Sequence, residues 1–109
     1  MLVDYYYEFG RFRLLPSTRQ LLRQGEPVAL TAKVFDLLLL LVEHSGELLE
    51  RDSLMNALWP NAIVEESNLT QSIFMLRKAL GDNRQGERFV LTVPGRGYRF
   101  LAPVREFQG

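Results

Sequence analysis

The sequence has no cysteine and a single histidine, His44. That excludes a disulfide framework, a thiolate metal site, a cysteine nucleophile and any pair of histidines on one metal. Long apolar runs are also missing. The longest, Leu37 to Val42, is closed off by Asp36 and Glu43, far short of the roughly 18–20 residues a bilayer span needs. The N-terminus lacks the basic, apolar and small-residue succession of a secretory leader. The expectation is a cytoplasmic domain with no membrane contact of its own. Phosphate-loop, serine-elbow and zinc-protease motifs are absent as well. Glu65 and Glu66 are adjacent carboxylates, but at a helix start, where acids offset the dipole. His44 falls near a helix end, where a solvated or dipole-favoured imidazole is ordinary. A non-enzyme is expected, with no catalytic residue, cofactor or metal.

What is present is globular. The 109 residues are 47% hydrophobic and 24% charged, enough for one domain with its own core. Net charge is zero, but it is sorted along the chain. Residues 1–66 carry six Lys/Arg against ten Asp/Glu, and residues 67–109 carry seven against three. A local basic face matters more to a polyanion than the total does. Small domains are often uneven in charge, so the skew alone decides nothing.

The chain opens on alternating aromatics. Tyr5, Tyr7 and Phe9 share one parity, Phe12 and Leu14 the other, with the flip at Gly10. A glycine where a strand pattern slips reads as a bulge or bend. Pro16-Ser17 is a turn, Arg19 to Arg23 a second strand, Gln24-Gly25 a tight turn and Glu26 to Leu30 a third strand. Thr31 caps a helix to about His44 that is apolar nearly all round and so central. Gly46 stops it, and Leu48-Leu49 is placed for a brief strand contact. A second helix covers roughly Arg51 to Trp59, ended by Pro60. A third runs from about Glu66 to Leu80, with Gly81 as its stop and Leu69, Ile73, Leu76 and Leu80 as its core stripe. Arg88 to Val93 and Tyr98 to Ala102 then form a hairpin around Pro94-Gly95-Arg96-Gly97. The class is α+β, in the order of a winged helix-turn-helix.

The third helix carries most of the chemistry. Opposite its stripe lie Ser67, Thr70, Gln71, Phe74, Met75 and Lys78, with Arg77 on a flank. Thr and Gln can hydrogen-bond base edges, and Gln can pair bidentately with adenine. Phe74 and Met75 admit two readings. Apolar side chains can touch a thymine methyl, or they can pad the hairpin and fill a gap beside the second helix. Arg77 and Lys78 supply charge that would also complement the helix dipole. In the hairpin, Arg96 stands between two glycines, where a guanidinium can reach a narrow minor groove or phosphates. A solvated turn residue is the simpler account of that tetrapeptide by itself.

Three segments, the stretch from Phe9 to Pro60, EESNLTQSIFMLRKALGD and RFVLTVPGRGYRFLAPV, resemble the winged-helix DNA-binding domain of OmpR/PhoB-type transcriptional regulators. The likeness covers Tyr7 to Val104 and leans to the CadC-like and ToxR-like bacterial subgroup. It implies an N-terminal four-stranded antiparallel sheet, three helices and a C-terminal β-hairpin wing. A domain over residues 1–104 is expected, with residues 105–109 as a linker start or a trimmed end. A chain opening on this domain is expected to carry a sensor beyond it rather than a receiver before it.

The resemblance also implies roles. The third helix would enter the major groove of double-stranded DNA, with the wing on the minor groove or backbone. Arg77 matches an arginine that contacts DNA in members, and its loss is then expected to weaken binding at little cost in stability. Thr92 matches a wing threonine on the backbone. Asn68, Thr70 and Gln71 fall where members face bases or phosphates, and Ser67, Phe74, Lys78, Arg96 and Arg99 complete the DNA-binding set. The loop of Asn61, Ala62, Ile63, Val64, Glu65 and Glu66 would face RNA polymerase. Phe74 and Met75 depart from the basic residues common in response regulators, and Pro94 from a wing arginine. With fewer cations, a monomer in solution that gains by pairing head to tail on direct repeats is expected. The alternative is a winged helix used mainly for protein contact, anchored by Phe74 and Met75.

Overall fold

The computed structural model describes residues 5–82 and 86–108. Its strands are β1 (Tyr5–Phe9), β2 (Phe12–Leu15), β3 (Gln20–Arg23) and β4 (Glu26–Val28), followed by helix α1 (Ala32–Glu43). Then come β5 (Leu48–Glu50), α2 (Arg51–Leu58), α3 (Glu66–Leu80), β6 (Val90–Val93), β7 (Gly97–Phe100) and β8 (Arg105–Gln108).

The parity flip at Gly10 is a turn, not a bulge. Phe9 pairs with Phe12, so Gly10 and Arg11 form a two-residue hairpin loop, with Gly10 at φ +54°. A hairpin restarts the alternation on its return strand, and both rings therefore face the core. Gln24 and Gly25 both take positive φ between the paired Arg23 and Glu26, which is what a type I′ hairpin turn requires.

The N-terminal sheet has five strands, in the order β4-β3-β2-β1-β8, all antiparallel. The first four were expected. The fifth comes from residues read as a linker: Arg105–Gln108 pair along β1, Glu8 against Arg105 and Tyr5 against Gln108. Tyr6 stacks on Phe107 across that pair, at 5.1 Å between ring centroids. β1 would otherwise expose a row of unpaired backbone groups, and the returning chain satisfies them.

The helices follow their sequence signals. Thr31 accepts a hydrogen bond from the Val34 N–H and caps α1. Gly81, left-handed at φ +71°, ends α3. α1 is buried along Val34, Phe35, Leu37, Leu38, Leu41 and Val42, between the five-stranded sheet and α3. Lys33 donates to the Leu58 carbonyl, tying α1 to the end of α2, while Asp36 pairs with Arg19. The second sheet, β5-β7-β6, joins the strand before α2 to the hairpin. The core is continuous from Phe9 and Phe12 through Phe89 and Phe100, whose rings stack or meet edge to face. Among the described residues no helix is long and apolar enough to cross a membrane.

Candidate nucleic-acid interface

α3 turns Leu69, Ile73, Leu76 and Leu80 inward, with Ser72 also buried. The opposite stripe is Ser67, Gln71, Phe74 and Lys78, spaced by four, three and four residues. All four are exposed, and their side chains make no bond among the described residues. Thr70 lies beside them, its hydroxyl directed weakly to the Glu66 carbonyl at 3.5 Å. Asn68 is engaged at the helix start, its amide donating to the Glu65 carbonyl at 3.2 Å.

The two apolar residues part company. Phe74 is 61% exposed and pads neither the hairpin nor α2. Met75 is 38% exposed and turns the other way. With Ala79 it lines a shallow cavity of about 300 Å³ against Leu30, Thr31 and Val34 at the start of α1.

Arg77 belongs to the wing as much as to the helix. Its Nε and Nη2 donate to the Val90 carbonyl at 3.3 and 3.0 Å, and Nη2 also reaches Thr92 Oγ1 at 2.6 Å. The guanidinium therefore latches α3 to β6. This changes the expectation that its removal is structurally cheap. Arg77→Ala should destabilise the domain by about 1–3 kcal/mol, as charge-assisted bonds lost to a part-buried carbonyl do. Urea denaturation measures it; a midpoint equal to wild type would show the latch to be idle.

At the other end of the wing, Arg96 does not project freely. Its Nη2 lies 3.4 Å from Glu50 Oε1, and its carbonyl accepts from the Arg51 N–H. Arg51 in turn pairs with Glu66 on the first turn of α3 at 2.5 Å. The wing tip and the starts of α2 and α3 are thus joined through exposed ion pairs. Strand alternation puts Arg99 on the face of β5-β7-β6 opposite Thr92 and on the same side as Glu50. It pairs with Leu48 and Leu91, half-buried, with its Nε lacking a hydrogen-bond partner among the described residues.

Sequence reasoning passed over Glu50, Arg51 and Asp82. Asp82 Oδ2 accepts from the Phe89 and Val90 N–H groups at 2.9 and 2.8 Å, so the chain after α3 is clasped to the wing. Its only sequence signal was its place in the LRKALGD run. The loop before α3 ends at Glu65, since Glu66 is already helical, and its Ile63 is fully exposed at 105%.

Comparison with known proteins gives a consistent result. Residues 25–100 match the family described as transcriptional regulatory protein, C terminal. The chain is 41% identical over 96 residues to the transcriptional activator CadC of Escherichia coli K12, covering 87% of this chain and 19% of CadC. It is 36% identical over 91 residues to the transcriptional regulator HilA of Salmonella typhimurium, covering 84% and 16%. It thus spans under a fifth of the length of these relatives. The solved DNA-binding domain of Escherichia coli CadC superposes with a TM-score of 0.83 at 36% identity, covering 94% of this chain and 96% of that one. The Klebsiella pneumoniae RstA DNA-binding domain, solved in complex with the RstA box, superposes with a TM-score of 0.77 at 32% identity, covering 88% and 96%.

Proposed function

The chain belongs to the OmpR/PhoB-type family of transcriptional regulatory domains, and we propose from that premise that it binds specific sites in double-stranded DNA to control transcription. The family is one of DNA-binding regulatory domains rather than enzymes. The observation that carries the reading is the outward stripe of α3, Ser67, Gln71, Phe74 and Lys78, presented without side-chain partners among the described residues beside a basic wing. An α-helix fits the major groove, where amide and hydroxyl groups read base edges. Lys78 and Arg96, with Arg51 and Arg77 at the edges of the stripe, supply the phosphate contacts. Thr92, already bonded to Arg77, keeps its hydroxyl proton to offer the backbone. Arg99, on the side of the wing sheet that carries Glu50, adds positive charge to the wing.

The solved complex of RstA with its box supports the same mode here. The α2–α3 loop serves as the surface for RNA polymerase, and its exposed Ile63 supports that role. The domain is monomeric in solution and pairs head to tail on DNA, in the cytoplasm. Pairing offsets its small number of cations, because the second contact is then intramolecular.

Salt tests the reading. Each neutralised phosphate on B-DNA contributes about −0.9 to the slope of log affinity against log salt. A slope of about −3 or steeper is expected on duplex recovered by selection, from roughly three or more phosphates. Binding that ignores salt would overturn it and favour a protein contact.

A further inference from the structure

We propose that Phe74 reads the 5-methyl group of a thymine in the major groove, which rests on the reading of α3 as the groove-entering helix. The ring is 61% exposed and stands on the side of α3 opposite Leu69, Ile73, Leu76 and Leu80. Folding leaves most of it uncovered. Its neighbours one turn away are Thr70, Gln71 and Lys78, all exposed. A protein-binding anchor is normally ringed by apolar contacts that exclude water, and this ring is ringed by hydroxyl, amide and ammonium groups. Met75, the one residue that would widen the patch, is turned toward Val34 and Ala79 instead.

The major groove offers a fitting apolar counterpart. Among the base edges, the thymine methyl is the apolar group, while the rest present donors and acceptors. Gln71 lies one turn before Phe74 on the same face, and its amide suits adenine N6 and N7. Three residues along a helix rise about 4.5 Å, against roughly 3.4 Å between stacked pairs. The two side chains therefore address the same or adjacent base pairs, adenine under Gln71 and thymine under Phe74.

The test uses duplex recovered by selection from a random library, with each thymine replaced singly by deoxyuridine. That exchange removes one methyl and nothing else. One position is expected to cost wild type about four-fold in affinity, the worth of one buried carbon. Phe74→Ala is expected to weaken binding to the thymine duplex at least as much and to lose nothing further with uridine. Gln71→Ala keeps the uridine sensitivity. Melting temperatures of both variants should match wild type, since both side chains are exposed. A selected duplex with no uridine-sensitive position would overturn the assignment while leaving DNA binding intact. Undiminished uridine sensitivity in Phe74→Ala would overturn it too. If Phe74→Ala also bound that duplex like wild type, the ring would pass to a protein contact. Recovery of no duplex at all would sink both this proposal and the reading beneath it.

Discussion

Gly97→Ala is expected to unfold the wing and cost the domain about 3 kcal/mol or more, beyond the ordinary range for an overpacked position. A Cβ built at Gly97 would lie 2.0 Å from the Leu49 carbonyl oxygen and 2.9 Å from Glu50 Cα. Both are backbone atoms, so no side chain can swing aside. Gly97 pairs with Glu50 on one side and Val93 on the other, and relief requires β5 to separate from β7. That movement breaks the Arg51 N–H bond to the Arg96 carbonyl and the Glu50–Arg96 ion pair. It also shifts Tyr98 and Phe100 out of the core. Gly95→Ala is the control. Gly95 has φ +72° but nothing within 4 Å of an added Cβ, so only left-handed strain remains, about 1–2 kcal/mol. Urea midpoints should therefore rank wild type above Gly95→Ala, and Gly95→Ala well above Gly97→Ala. Equal midpoints for the two variants would show that the strands part without cost.

This contrast marks where sequence reading ends. The PGRG tetrapeptide announces a turn, yet nothing in it says that one glycine is needed for φ and the other for strand spacing. Gly97 pairs with a residue 47 positions earlier, and the clash exists only in the assembled sheet. The same limit hid β8. Arg105-Glu106-Phe107-Gln108 carries too little apolar alternation to read as a strand, and its order comes from the free edge of β1 at the opposite end of the chain. Gly10 misled for a different reason, since a bulge and a two-residue hairpin both shift parity. Helices were legible because their signals are local: the Thr31 cap, the Gly81 stop and the stripe of α3 all stand where the periodicity puts them. The outward face of α3 was legible by the same phase, down to Phe74. The latches were not. Arg77 to Thr92 and Arg96 to Glu50 join residues that only the tertiary fold brings within reach.

Leu76→Ala tests that phase at its centre. Leu76 is completely buried, in line with Leu69, Ile73 and Leu80. Truncation removes its packing and leaves a cavity that neighbours fill only in part, at about 2–5 kcal/mol. In a domain of this size that moves the melting temperature down by on the order of 10 °C or more. Lys78→Ala, two residues on and facing solvent, should leave it within a degree or two of wild type, as surface changes of under about 0.5 kcal/mol do. A melting temperature near wild type for Leu76→Ala would mean that α3 is rotated from the phase described. Its DNA behaviour separates stability from recognition. DNA that binds only the folded state stabilises it by mass action, so saturating duplex should restore part of the lost melting temperature. The base preference of the bound fraction should be unchanged, because Leu76 faces the core, away from the outward stripe. A changed preference would show that core packing beneath α3 sets the aim of Gln71 and Phe74, and that the outward stripe cannot be read apart from the leucines that hold it.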